Sequence, residues 1–313
     1  MKILIAYDGS DCADAALEDL HRAGLPAYAE ALVVSVADVF LPPQSSDESI
    51  DATTPLYTPP GGWRSHAKAA RAVEKSLDLA VQASERVQAS FPGWNVRAEA
   101  YAQTPAWGIL SRAGEWAADL IVVGAQGRLV LDRFILGNLS QRILYEAHCS
   151  VRVARCNTII GESAPRVVIG VDGSPDAEDA LKAVATRSWP VGTEIRVVGV
   201  LDTVMSLTSA RSNTSVGKWG EKEDKDSIAL EHNVFETLRE KLRDAGVTAS
   251  SIVRRGGLKR ALLEEAKRWE ADSIFIGVKG LKGLKRFLVG SVSVAVASRA
   301  SCSVEIIRPR HTT

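Results

Sequence analysis

The sequence predicts an α/β protein made of two doubly wound, parallel, five-stranded sheets, one in each half of a pseudo-two-fold tandem repeat. Three observations predict it. Strand-length apolar runs alternate with helical stretches, as expected for βαβ crossovers around a parallel sheet buried on both faces. The opening run Ile3-Leu4-Ile5-Ala6-Tyr7-Asp8-Gly9-Ser10 returns as Val167-Val168-Ile169-Gly170-Val171-Asp172-Gly173-Ser174, 164 residues further on. Beyond the fourth strand, Gly124, Gly127 and Gly137 share one spacing with Gly277, Gly280 and Gly290, with two and then nine residues between them.

The elements follow in order. Lys2 to Tyr7 is the first strand, and the Asp8-Gly9-Ser10 that closes it suits a turn and helix N-cap as well as it suits a ligand site. The second strand, Glu30 to Val36, keeps register, because Leu32 to Asp38 aligns with Arg196 to Asp202 at the same offset of 164. From Leu41 to Trp63, Pro42, Pro43, Pro55, Pro59, Pro60, Gly61 and Gly62 forbid regular structure. A polar connection, Thr203 to Asp226, stands in its place in the second copy, and both follow a strand end, where a loop can also act as a lid. A helix begins near Arg64 with Val73, Leu77, Val81 and Val87 toward one face. Val234, Leu238 and Leu242 mark its counterpart, which Gly246 ends.

The third strand is Asn95 to Tyr101 and the fourth Leu120 to Gly124. Ala118 to Gly124 matches Ala271 to Gly277 at an offset of 153, so the first copy carries 11 more residues between Asp38 and Ala118. Helices then run from Asn138 to Ala147 and from Ser291 to Arg299. A last strand, Val151 to Arg155 in the first copy, follows Cys149-Ser150 as its counterpart follows Cys302-Ser303. These matches divide the chain into residues 1–157 and 165–313.

Composition narrows the function. Thirty-eight basic residues balance thirty-eight acidic ones, which leaves no net field to attract nucleic acid or an anionic membrane. No apolar stretch approaches membrane-spanning length, and Met1 runs into the first strand without a secretory signal, so the expected location is cytoplasmic. The four cysteines, Cys12, Cys149, Cys156 and Cys302, form no short paired motif, which argues against a disulfide framework or a zinc site. Cys149 and Cys302 read as small buried hydrophobes. The five histidines are scattered, no nucleophile elbow or Walker lysine is present, and no residue stands out to activate water.

In an open parallel sheet, ligands bind at the carboxyl ends of strands where neighbouring crossovers depart in opposite directions. Asp8 and Asp172 end strands at such a crevice. The glycines are expected to adopt positive φ and approach a ligand, with the helix after Gly137 or Gly290 offering its N-terminal amides to phosphate. Together, strand-Asp-Gly-Ser, Ala-Asp-Leu-Ile-Val-Val-Gly, the glycine spacing and the closing Cys-Ser-Val strand resemble universal stress protein domains, two of which would cover nearly the whole chain. The resemblance implies a Rossmann-like, adenine nucleotide alpha hydrolase-like fold, pairing of the domains through their last strands, and ATP as ligand, with Mg2+ as an accompanying ion.

Carried over by position, adenine meets the backbone at Val36 and Val200, and ribose lies near Asp8 and Asp172. Phosphates fall to Gly124, Gly127, Gly137 and Asn138 in the first copy, and to Gly277, Gly280, Gly290, Ser291 and Val292 in the second. The first copy departs from the pattern at Asn138, where a hydroxyl is wanted. Lys279, Lys282, Lys285 and Arg286 stand in the second glycine loop without an acid, whereas Arg128 and Arg133 share theirs with Asp132. Tighter ATP binding in the second copy is therefore expected. The resemblance implies a nucleotide-dependent stress regulator acting through an unidentified protein partner. Its alternatives are a scaffold that binds no nucleotide and an ATP-consuming ligase or transferase. Pairing within the chain leaves a monomer or a homodimer of chains.

Overall fold

The computed structural model describes residues 1–39, 62–126, 136–156, 163–200, 240, 243, 247–254, 256–278 and 289–309. The connections expected to form loops or lids fall mainly outside these residues, as do Val234, Leu238, Leu242, Gly127, Gly280 and the charged residues of both glycine loops.

In the first half, β1 (Lys2–Ala6), β2 (Glu30–Ala37), β3 (Asn95–Ala102), β4 (Leu120–Gly124) and β5 (Ser150–Ala154) alternate with α1 (Asp11–Asp19), α2 (Gly62–Ser90), α3 (Pro105–Glu115) and α4 (Asn138–Glu146). The second half repeats them as β6 (Arg166–Gly170), α5 (Pro175–Ala185), β7 (Glu194–Val200), β8 (Thr248–Arg254), α6 (Leu258–Arg268), β9 (Ser273–Gly277), α7 (Ser291–Arg299) and β10 (Ser303–Ile307). Register is conserved with topology: Lys2 pairs with Glu30 and Arg166 with Glu194, positions related by the offset of 164.

The two expected five-stranded sheets form one ten-stranded sheet in the order β3-β2-β1-β4-β5-β10-β9-β6-β7-β8. Every pairing is parallel except the central one, where β5 meets β10 antiparallel. Antiparallel pairing of two last strands is what a two-fold axis between equivalent halves requires. On one face, α3, α4, α6 and α7 cover a single apolar cluster to which both halves contribute, including Ile109, Ile143, Leu262 and Val296. On the other, α1 and α2 cover one cluster and α5 another.

The seam between those separate clusters is filled by charge. Arg152 of β5 sits opposite Glu305 of β10 in the register, and these are equivalent positions of the two copies. Arg152 donates from Nε and Nη2 to Asp19 at 2.5 and 3.0 Å and from Nη1 to Glu305 at 3.3 Å, while Glu305 also accepts from Arg187. Asp19, Arg152, Glu305 and Arg187 thus form a buried chain of alternating charge. Burial opposes the charge on Arg152, yet the two carboxylates hold its pKa above the ordinary arginine value.

Two expectations need correction. The helix face toward the sheet carries Ser76, Ala80, Ala83 and Val87, whereas Leu77 and Val81 stay 42% and 39% exposed. At 3.6 residues per turn, a run spaced by four drifts off the face that Val87 shares with the alanines. The second correction concerns the cysteines: Cys12 and Cys156 form a disulfide across 144 residues, with Cα atoms 4.6 Å apart. Cys302 is buried and Cys149 partly so, and burial pushes both thiols up to about 12.

Candidate functional site

The strand order reverses direction between β1 and β4 in the first half, and between β6 and β9 in the second. At the first of these points a cavity of about 100 Å³ opens beyond the strand ends, lined by Asp8, Ser10, Val36, Gly124, Gln126 and Ser140 among others. A reversal of strand order leaves such a gap because the crossovers on its two sides leave by opposite faces of the sheet.

Asp8, Ser10, Gly124 and Ser140 are fixed by local motifs that recur in the second half. Gly9 and Gly173 adopt φ of 71° and 73°, the left-handed region that favours glycine. Their turn lets the Asp8 carboxylate accept from Ser10 N–H, as Asp172 accepts from Ser174, each at 3.0 Å. The serine hydroxyls in turn accept from Ala13 and Ala177 N–H at 3.2 Å, capping α1 and α5. Asp-Gly-Ser is therefore a turn and a cap, and it also brings Asp8 to the cavity wall.

The strand-end glycines do not adopt the expected positive φ. Gly137 and Gly290, with φ of −66° and −64°, are extended N-cap residues. Their N–H groups are spent on the Ala125 and Val278 carbonyls at 2.8 and 2.7 Å. Gly124 and Gly277 have a packing reason instead. A Cβ there would stand 2.7 Å from the Cys12 carbonyl oxygen and 2.5 Å from that of Asp176, so only glycine admits the start of α1 or α5. The first-turn amides of α4 and α7, which a helix leaves without intrahelical acceptors, also start at this end, and Leu139 and Ser140 of α4 line the cavity. These amides belong to Asn138, Leu139 and Ser140, and to Ser291, Val292 and Ser293.

Of the residues singled out in sequence, Asp8, Val36 and Gly124 line the cavity. Asn138 opens the helix beside it, and its side chain is exposed. In the second half, Asp172, Gly277, Gly290, Ser291 and Val292 occupy the equivalent strand end and helix start, with Val200 buried at the end of β7. Gly127 and Gly280 lie outside the described residues. Two serines escaped the sequence reading: Ser140 and Ser293 are buried and donate to the Gly124 and Gly277 carbonyls at 2.6 and 2.7 Å, tying each helix start to its strand end. Their signal was available, since each stands three residues after the last glycine of its copy.

Tyr7 also lines the cavity. Burial, followed by its hydrogen bond to Asp14, pushes its phenol up to about 12, so it remains a donor to a carboxylate that Arg86 also binds. Among the described residues, no group of three or more His, Cys, Asp or Glu stands where it could hold a metal ion. No described helix is long and apolar enough to cross a membrane.

Comparison with known proteins agrees with the repeat. A family model described as the universal stress protein family matches twice, over residues 1–155 and 164–308. A universal stress protein of Mycolicibacterium smegmatis is 29% identical over 195 residues, covering 62% of this chain and 63% of its own length. The universal stress protein YxiE of Bacillus subtilis is 27% identical over 145 residues, which is 46% of this chain and 98% of that one. The crystal structure of a universal stress protein from Archaeoglobus fulgidus superposes with a TM-score of 0.61 at 17% identity, covering all of this chain and 97% of the other.

Proposed function

The chain belongs to the universal stress protein family, and on that premise we propose that each half binds an adenine nucleotide, ATP in the first instance, making the protein a nucleotide-dependent regulator in a stress response. The observation that carries the reading is the coincidence, at the reversal of strand order, of a cavity, a carboxylate and a helix N-terminus. A carboxylate at Asp8 or Asp172 suits the ribose hydroxyls, which donate hydrogen bonds. The first-turn amides of α4 and α7 suit phosphate oxygens, because a helix start combines unpaired donors with the positive end of its dipole. Val36 and Val200, at the ends of the neighbouring strands, would offer adenine an apolar flank and main-chain partners.

The chemistry of this donor set is that of binding. With the Asp8 carboxylate assigned to ribose, slow hydrolysis at most is expected. Ser291 offers the second site a hydroxyl where Asn138 offers the first an amide, and the second is expected to bind more tightly.

Calorimetric titration of nucleotide-stripped protein with ATP, ADP and AMP tests the reading. Two binding events are expected, with Asp8→Asn weakening one and Asp172→Asn the other. No heat with any of the three at millimolar concentration would overturn it.

A further inference from the structure

The Cys12–Cys156 disulfide joins two walls of the first cavity. Cys12 is the second residue of α1, between Ser10 and Ala13, both of which line the cavity, and its carbonyl rests on Gly124. Cys156 follows β5 by two residues, and the last residue of that strand, Ala154, accepts from the N–H of Ala125, which lies between cavity residues Gly124 and Gln126. The cross-link therefore fixes the Asp8-to-Ala13 wall relative to the Gly124-to-Gln126 wall. In the second half the equivalent positions are Asp176 and Pro309, which cannot form it, although the Asp176 carbonyl approaches Gly277 in the same way.

We propose that Cys12 and Cys156 are a reversible thiol–disulfide site through which oxidation by a low-molecular-weight disulfide tightens nucleotide binding at the first half alone. The inference rests on the nucleotide reading above. Cys156 is the accessible partner, being half-buried where Cys12 is 8% exposed. In the oxidising direction, the Cys156 thiolate attacks one sulfur of R′S–SR′, expelling R′S⁻ and leaving a mixed disulfide on Cys156. The Cys12 thiolate then attacks the Cys156 sulfur and expels the second R′S⁻. Two electrons pass from the protein thiols to R′S–SR′, and the two protons end on two molecules of R′SH. Excess R′SH reverses both steps.

The other two cysteines do not compete. Burial holds Cys149 and Cys302 in the thiol form, which is a poor nucleophile. A disulfide in a reducing compartment is most often redox-sensing or catalytic rather than structural, and a cytoplasmic location, as expected from the sequence, would put this one in that class. Tightening rather than weakening follows from the geometry, because a cavity whose walls are already fixed loses less freedom when a ligand orders it.

The test uses the full chain, stripped of nucleotide and equilibrated either in dithiothreitol or in a buffer rich in oxidised glutathione, with ATP titrated by calorimetry and thiols counted by alkylation and mass spectrometry. Oxidation is expected to protect Cys12 and Cys156 and to tighten one of the two binding events by about five-fold or more. The event lost in Asp172→Asn should not respond. Cys156→Ser, and independently Cys12→Ser, should bind as the reduced protein does in both buffers. By reciprocity, ATP should raise the stability of the disulfide against glutathione by the same factor. Two binding events with affinities indifferent to redox state would overturn the coupling and leave the nucleotide reading intact. Binding in neither state would overturn both, and Cys12 and Cys156 remaining alkylatable in oxidised glutathione would overturn the disulfide site itself.

Discussion

The two halves agree in the turns, caps and close approaches that build each strand end, and differ in charge at the centre of their junction. The Ser10 and Ser174 caps, the Ser140 and Ser293 hydrogen bonds and the close approaches at Gly124 and Gly277 recur in both halves with closely similar distances. Part of the junction is copied too. Arg155 reaches across to the Ala297 carbonyl at 2.5 Å and Arg308 to the equivalent Leu144 carbonyl at 2.6 Å, while their amides donate to Ser303 and Ser150. At the centre, however, one position is Arg152 in the first half and Glu305 in the second. Identical halves would set like charges face to face on that axis. Fusion lets the two positions differ, so the seam is matched only when a first half meets a second half.

A similar inversion occurs away from the axis. Arg112 on α3 binds Glu99 on β3, and at the equivalent place on α6 Glu265 binds Arg196 and Arg254 from the sheet, with Arg268 beside it. The strand-to-helix tie is kept and its polarity exchanged. Only the helix position changes sign in place: Glu99 aligns with Ile252, whereas Arg196 and Arg254 align with Leu32 and Tyr101, so the second half draws its strand partners from other positions.

The largest expected effect lies at the seam. Arg152→Met leaves Asp19 with the Ser303 hydroxyl and without its cation, weakens the hold on Glu305 in a buried setting, and should lower the unfolding free energy by about 3–5 kcal/mol, read from the urea midpoint. Removing Asp19 as well, in Arg152→Met with Asp19→Leu, leaves Glu305 paired with Arg187 and should recover most of the loss. If it does not, packing rather than charge matching holds the seam.

Smaller effects are expected where the copies agree. Gly124→Ala and Gly277→Ala each push a methyl into a main-chain carbonyl and should cost about 1–3 kcal/mol by thermal unfolding, with similar values in the reduced chain. A marked difference between them would show that the shared geometry is not equally stressed.

The smallest effect is one of pH. Burial opposes the charge of Glu265, but hydrogen bonds from Arg268, Arg254 and Arg196 prevail and lower its pKa from 4.5 to about 2. A carboxylate with a depressed folded pKa contributes stability that is complete above its unfolded value and lost as pH falls through the folded one. Wild type and Glu265→Gln should therefore differ most above pH 4.5 and converge as pH falls toward 2, followed as the unfolding midpoint against pH. Glu99 is lowered in the same direction, chiefly by its bond to Arg112, and Glu99→Gln should show the same sign of effect in the first half.

Much of the site was legible because its parts are local. Asp8-Gly9-Ser10 specifies a left-handed turn, a carboxylate and a cap within three residues, and it does so again at Asp172. The helix starts at Asn138 and Ser291 follow from glycine N-caps that any reader of the repeat can place. The glycines were harder. Gly124, read in sequence as a ligand contact, lines the cavity and is also the floor on which α1 rests, because what excludes a side chain there is a carbonyl more than a hundred residues away.

By itself, then, the sequence determined the repeat, the parallel order of strands and helices in each half, and the residues at the strand ends. Alternation, caps and spacing act over a few residues, and the chain carries them twice. Tertiary structure alone decided which face of α2 is buried, that Cys12 meets Cys156, and that Arg152 is neutralised from both sides. Those outcomes depend on which distant segments the sheet brings together, and burial and charge pairing act between neighbours in space.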